Sequence, residues 1–213
     1  MEGKKNACCP LISIVLGCLF LCAAQVSAYE LNKLDKLSLG GSLTPEQNTS
    51  VLMSPYDIFS AGFYGVGDNA YAFAIWYTHT VNLTVVWAAN RDQLVNRSDS
   101  RLHLQNDGNL YLSNTNGSTV WETHTGSNSF NVSELLLLET GNLVLLNSSG
   151  GSVWESFDYP IDTLLPDQPL EGNTQLVSRL GTGSISSGYY CLYSDYDNVL
   201  RLRYQTSFAA SNY

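Results

Sequence analysis

The sequence repeats itself. Positions 101–123 match positions 134–156 one for one, with no gap. Leu102 meets Leu135, Leu104 meets Leu137, Gly108-Asn109-Leu110 meets Gly141-Asn142-Leu143, and Leu112 meets Leu145. Asn114 meets Asn147, and Val120-Trp121-Glu122 meets Val153-Trp154-Glu155. A weaker copy precedes them, with Val86-Trp87 standing ahead of Val120-Trp121 at nearly the same spacing. Units repeated at a fixed period cannot bury their apolar faces alone and stack on one another to do so. Three tryptophans at this spacing imply three similar units around a shared core.

Each unit is too short for a crossover helix plus strands, and its leucines alternate, so each reads as a small antiparallel sheet. Asn106-Asp107-Gly108 and Glu139-Thr140-Gly141 read as three-residue hairpin loops with glycine in the left-handed position. That register pairs Leu104 with Leu110 and Leu102 with Leu112 on one face. Gln105 with Asn109, His103 with Tyr111 and Arg101 with Ser113 share the other face. A two-residue loop would place leucines beside polar residues, because a slip of one residue turns every side chain over.

Gln105, Asp107 and Asn109 therefore gather on an outward face, and two amides and a carboxylate in one shallow place can hydrogen-bond several hydroxyls of a sugar ring. The competing reading is local: Asp107 and Asn109 stabilise the turn, as short polar side chains do. In the next repeat Leu136, Leu138, Val144 and Leu146 make the same face apolar, and an exposed apolar patch marks an interface. That face is expected to pack against another domain or a second copy of the chain.

The amino terminus is a different kind of segment. Lys4 and Lys5 precede a nearly unbroken apolar run from Leu11 to Ala24, and Val26-Ser27-Ala28 ends it with small residues. Residues 1–28 read as a secretory signal peptide. A membrane anchor is the alternative, but the run is shorter than the ~20 apolar residues a span requires. Cys8, Cys9, Cys18 and Cys22 lie within this segment, which leaves Cys191 as the one thiol beyond it. An odd cysteine in a secreted chain suggests an intermolecular bond, a free thiol or a missing partner domain. Six Asn-x-Ser/Thr sequons, at Asn48, Asn82, Asn96, Asn116, Asn131 and Asn147, fit surface loops of a secreted glycoprotein.

Charge narrows the partners. The 213-residue chain carries 10 basic and 19 acidic residues, a net charge of −9, so it has no surplus of cations for a phosphate backbone and nucleic acid is excluded as a partner. No stretch after the leader reaches the length of a membrane span. His79, His103 and His124 have no ligand-like spacing with cysteines or carboxylates and read as surface strand residues rather than a metal site. No Gly-x-Ser-x-Gly elbow, His-Arg-Asp or Asp-Phe-Gly is present, and no cofactor is called for. Asp158 with Asp162, and Asp195 with Asp197, could form a glycosidase pair only if turn and closing segments held them so.

The longer motifs carry a family resemblance. Phe59-Ser60-Ala61-Gly62-Phe63-Tyr64, Ile75-Trp76-Tyr77, Val85 to Asp92, Gln105 to Leu112, Thr140 to Val144 and Val153 to Pro160 resemble plant bulb-type (Galanthus-like) mannose-binding lectin domains. The likeness is to those that open the extracellular part of S-domain, or G-type lectin, receptor-like kinases. Leu37-Ser38-Leu39-Gly40 with Glu46 to Ser50 looks most like a receptor-kinase subfamily described from cereals. The resemblance implies an all-β fold, a β-prism of three antiparallel sheets with a pseudo-threefold repeat. It implies a secreted, non-enzymatic carbohydrate-binding module that takes a glycan or glycoprotein ligand.

The family's sugar motif is Gln-x-Asp-x-Asn-x-Val-x-Tyr. Gln105, Asp107 and Asn109 match it, whereas Tyr111 stands at the valine position and Ser113 at the tyrosine position. In the following repeat Leu138, Thr140, Asn142, Val144 and Leu146 keep only the Asn and the Val, and around Tyr71 to His79 there is no copy. The resemblance thus implies one degenerate site, at Gln105, Asp107, Asn109 and Tyr111.

The domain reading is a signal peptide at 1–28, a bulb-type lectin domain at 29–170 and, at 171–213, the truncated start of the next ectodomain module, like that of S-locus glycoproteins. Two functions of different class stand open. One is a carbohydrate-binding module, extracellular or at the plasma membrane in longer receptors. The other is a protein-interaction fragment of a truncated receptor, acting through the Leu138, Val144 and Leu146 face or a Cys191 bond.

Overall fold

The computed structural model describes residues 32–47, 50–126, 129–171, 174–195, 197 and 199–205. The leader segment and Asn48 lie outside them. Every regular element described is a strand or a single 3₁₀ turn.

The repeats emerge as three sheets. The first runs β1 (Asn32–Leu34), β4 (Ser50–Met53), β5 (Phe59–Gly67), β6 (Ala70–Tyr77) and β7 (Val85–Ala88). The second runs β3 (Ser42–Leu43), β8 (Arg101–Leu104), β9 (Leu110–Ser113) and β10 (Thr119–Glu122). The third runs β2 (Lys36–Ser38), β11 (Val132–Leu137), β12 (Leu143–Asn147) and β13 (Ser152–Glu155). The short strands β2 and β3 thus complete the sheets of later repeats, which ties the start of the described chain to both.

Pairing is antiparallel throughout these sheets except that β1 lies parallel to β4, a departure from the purely antiparallel expectation. A direct hairpin forces antiparallel pairing, and β1 escapes that constraint because β2 and β3, which leave for other sheets, separate it from β4.

The expected register holds: Leu104 opposes Leu110, His103 opposes Tyr111, Leu102 opposes Leu112 and Arg101 opposes Ser113. One repeat later Leu137 opposes Leu143 and Leu135 opposes Leu145. The inward leucines of both hairpins are at most 2% exposed.

The three repeat tryptophans meet one another, Trp87 and Trp154 within the core and Trp121 half-buried against it. Trp87, Trp121 and Trp154 meet pairwise at ring-centroid distances of 5.9, 6.0 and 5.6 Å, with interplanar angles of 68° to 77°. Edge-to-face contact sets the positive rim of one ring against the negative face of the next, and a triangle lets each ring do both. Each tryptophan opposes a fully buried residue of its own sheet, Ile75, Leu112 or Leu145. The segment after β13 closes the assembly: the Trp87 indole N–H donates to the Tyr159 carbonyl at 2.9 Å, and the Tyr159 ring stacks on Trp154 at 5.6 Å. Ile161 and Leu165 enter the same core.

A fourth sheet follows, with β15 (Ser187–Ser194) between β14 (Gln175–Arg179) and β16 (Leu200–Tyr204). It belongs to the same compact unit as the three sheets. The link is apolar where Ile185 joins the common core and polar beside it. Arg91 donates to the Val177 carbonyl at 3.1 Å, Arg179 binds Asp162 and donates to the Val85 carbonyl at 2.6 Å, and the Ser187 backbone N–H donates to Asp92 at 2.7 Å. Burial lowers the Arg91 pKa, and the carboxylates of Asp92 and Asp162 oppose that shift.

Candidate functional site

The β8–β9 hairpin closes as its sequence requires. The Gln105 N–H donates to the Asn109 carbonyl at 2.9 Å and the Gly108 N–H to the Gln105 carbonyl at 3.0 Å. Gly108 sits at φ +90°, and a Cβ there would lie 2.8 Å from the Cβ of Val132, so both conformation and space exclude a side chain. Asp107 Oδ1 accepts the Asn109 N–H at 2.9 Å, which makes Asp107 a turn stabiliser through that oxygen. Its Oδ2 lies against Gly126, where an added Cβ would approach to 3.0 Å.

Asn109 is held from both ends of its amide. Nδ2 donates to Glu122 Oε2 at 2.7 Å, while Oδ1 accepts from the Thr123 hydroxyl at 3.3 Å and the Thr125 N–H at 3.2 Å. The same construction recurs at Asn142, with Glu155 at 2.8 Å and Ser156 and Phe157 each at 3.2 Å. The Asn and Glu of each repeat thus bind the hairpin to its third strand. Glu122, Thr123 and Thr125 were not picked out by sequence reasoning, although the repetition of Trp-Glu and Gly-Asn at one offset carried the signal.

Of the remaining motif positions, Tyr111 is half-buried, its ring meeting His103 edge-on at 5.7 Å and 81°, and Ser113 is buried. Beside the hairpin tip lies a cleft of about 390 Å³ whose walls include Asn106, Asp107, Asn131, Ser133 and Ser148. The structure therefore joins Asp107 to residues from the start of β11 and the end of the β12 hairpin, which the linear motif does not contain.

The corresponding face of the third sheet differs from expectation. Leu138 is 38% exposed, but Val144 is 2% exposed and Leu136 and Leu146 are half-buried, so the apolar patch is not open as a whole. In the first sheet, Ile75 opposes Trp87 as Leu112 opposes Trp121, which sets Tyr64, Ala72, Ala74 and Trp76 where the second sheet has Gln105, Asn109, Tyr111 and Ser113. No copy of the polar motif exists there, as the sequence indicated.

Asn82, Asn96, Asn116 and Asn131 are exposed, whereas Asn147 is half-buried with its Oδ1 accepting from Ser149 and Gly151. Cys191 is fully buried, its thiol donating to Gln175 Oε1 at 2.8 Å. Of the three readings of an odd cysteine, that burial fits the free thiol and speaks against the intermolecular bond, since the sulfur offers no surface to a partner. Only His103 of the three histidines lies in a strand. Among the described residues, no cluster of three His, Cys, Asp or Glu could hold a metal ion, and no helix is long and apolar enough to cross a membrane. Asp162 is bound by Arg179, and Arg201 pairs with both Asp195 and Asp197.

Comparison with known proteins places this geometry in a family. The D-mannose binding lectin family model matches residues 84–183. The Zea mays protein ZmPK1, named for a receptor protein kinase, is 45% identical over 176 residues, which make up 80% of this chain and 21% of that protein. The Oryza sativa G-type lectin S-receptor-like serine/threonine-protein kinase LECRK1 is 35% identical over 177 residues, 78% of this chain and 21% of its own. EP1-like glycoprotein 3 of Arabidopsis thaliana is 46% identical over 141 residues, 64% of this chain and 31% of that protein. The chain thus spans between a fifth and a third of the length of these relatives. Among solved structures, a monomeric mannose-binding lectin from Gastrodia elata aligns with 58% of this chain and 96% of its own at 20% identity and a TM-score of 0.44. The repeat and the sequence relatives agree: residues 84–183 carry a bulb-type lectin domain of the D-mannose binding lectin family, and the chain is similar in sequence to receptor-like kinases of the G-type lectin class.

Proposed function

We propose that the chain is an extracellular lectin module that binds mannose-type glycans weakly, at a single site on the β8–β9 hairpin. The observation that carries this reading is the position of Asp107, at the tip of the hairpin that also carries Gln105, in the wall of a cleft of mixed polar and apolar lining within the usual ligand-site range of about 300–1,000 Å³. With its amide engaged by Glu122, Thr123 and Thr125, Asn109 orients the hairpin more than it contacts a sugar. Gln105 and Asp107 Oδ2 then supply the main contacts and Tyr111 walls the site. A few such hydrogen bonds, partly charge-assisted, suit a Kd on the order of 1 mM. The domain reading accompanies it: a secretory leader at 1–28, the lectin domain at 29–170 and the first strands of a following module from 171.

The test is retention of the secreted, enzymatically deglycosylated chain on immobilised mannose. Mannose-competable retention that is lost in Asp107→Ala and in Gln105→Leu supports the site. Retention unchanged in both places the ligand elsewhere, and no retention of the folded parent chain removes the sugar function.

A second reading, as a protein-interaction module, is favoured by a surface other than the one the sequence suggested. On the fourth sheet Tyr190, Leu200, Leu202 and Tyr204 are 52% to 69% exposed and share one face. Leu202→Asp abolishing partner capture, with mannose retention intact, would favour it.

A further inference from the structure

Asn131 stands in the wall of the cleft that holds Asp107. We infer that an N-linked glycan on Asn131 fills this cleft and covers Asp107, so that the chain's own sugar shields its sugar site. The inference rests on the carbohydrate-binding reading of the β8–β9 hairpin and goes further by naming what competes there.

Asn131 opens the sequon Asn131-Val132-Ser133 and is exposed. Its position is fixed by backbone rather than left to a wandering loop: φ is +47°, and its carbonyl accepts the Ser148 N–H at 3.0 Å. Val132, the next residue, packs against the hairpin tip so closely that a Cβ at Gly108 would lie 2.8 Å from it. A sugar leaving Asn131 therefore starts beside the Asp107 loop. Along the cleft, Asn106, Asp107, Ser133 and Ser148 offer amide, carboxylate and hydroxyl partners of the kind a pyranose takes. A volume of about 390 Å³ is at the small end of ligand sites, enough for the first one or two sugars of a glycan. Attachment joins Asn131 Nδ2 to C1 of an N-acetylglucosamine from a lipid-linked diphospho-oligosaccharide. The lipid diphosphate departs and the amide gives up one proton. Asn116, also exposed, does not line this cleft and serves as the internal comparison.

The experiment uses the full chain secreted from plant cells, with site occupancy read by glycopeptide mass spectrometry and affinity for immobilised yeast mannan read by surface plasmon resonance. The parent is compared with Asn131→Gln, with Ser133→Ala, which removes the sequon but keeps Asn131, and with Asn116→Gln. The expected result is an occupied Asn131 and a tenfold or greater gain in mannan affinity in both cleft variants, with none in Asn116→Gln. The gain should vanish when Asp107→Ala is added. An empty Asn131, or an occupied one whose loss leaves the affinity unchanged, overturns the inference. If the parent binds mannan and Asp107→Ala abolishes it, that failure leaves the sugar reading standing. If no variant binds, the sugar reading and the inference fall together.

Discussion

The side-chain amide of Asn109 donates to the Glu122 carboxylate at 2.7 Å, and in the next repeat Asn142 and Glu155 form the same bond at 2.8 Å. Between the two repeats Gln105 becomes Leu138 and Asp107 becomes Thr140, yet both members of this pair persist. The pair therefore serves the hairpin, tying its tip to the third strand of the sheet, both in the repeat that has Gln105 and Asp107 and in the one that has Leu138 and Thr140 instead.

Asn142→Ala should cost about 1–3 kcal/mol, the range for stranding partners of which the Ser156 hydroxyl is buried, and Asn109→Ala, whose partners Glu122 and Thr123 are only half-buried, about 1 kcal/mol. Denaturant unfolding of the two variants checks this. Equal midpoints for Asn142→Ala and the parent would show that the bond does not hold the hairpin.

Gly126→Ala tests the placement of Asp107. The new methyl would meet Asp107 Oδ2 at 3.0 Å and the Asn109 Cβ at 3.1 Å, both on one hairpin. The nearer contact is a side-chain oxygen that can swing aside. The change should therefore cost no more than about 1–3 kcal/mol of stability, the range for overpacking, while displacing the carboxylate from its bond to the Asn109 N–H. Mannose retention should fall at least severalfold while the folded spectrum is kept. Full retention would mean that Asp107 is not in contact with the sugar.

How much of this was legible in the sequence differs from element to element. The hairpin registers were, because three-residue loops with Gly108 and Gly141 admit one pairing that turns the leucines shared by both repeats inward. The three units around a shared core were, because Trp87, Trp121 and Trp154 recur at nearly one spacing, whereas the mutual contact of their rings emerges only in the folded chain. The parallel strand β1 was not, since Asn32–Leu34 pairs with Ser50–Leu52 across two intervening strands, and local pattern is silent about such pairing. The burial of Val144 escaped for a related reason: alternation tells which face a residue takes, not what lies over that face. At the candidate site, the motif gave Gln105 and Asp107 but missed Asn131, which comes from another repeat and enters only when the chain is folded.

Asp158 offers a pH test. Burial raises its pKa above the ordinary 3.8, and the nearby carboxylates of Glu155 and Glu171 add to the shift. The fold thus retains a proton that the unfolded chain releases, so stability declines as pH rises from about 3.8 through the folded value and stays lower at neutral pH. Asp158→Asn should melt above the parent at about pH 7, by no more than about 2 °C for so exposed a group, and should show no gain near pH 3. A gain of equal size at both values would assign the effect to something other than ionisation.

At Cys191 the structure chooses among readings that the sequence left open. An odd cysteine in a secreted chain suggests an intermolecular disulfide, a free thiol or a missing partner domain, and the first of these requires a thiolate and a path to it. The folded chain provides neither. The sulfur is fully buried between β14 and β16, its proton is engaged by Gln175, and burial raises its pKa, with only the Arg203 guanidinium pulling the other way. The native chain should therefore run as a monomer-sized band on non-reducing gels. Its thiol should react with an aromatic disulfide reagent at least about a hundredfold more slowly than free cysteine, since reaction waits on a local opening that uncovers the buried sulfur. In denaturant one thiol should react at once. Fast native labelling, growing with pH as an exposed thiol's does, would put Cys191 back at the surface and return the disulfide-linked partner to consideration.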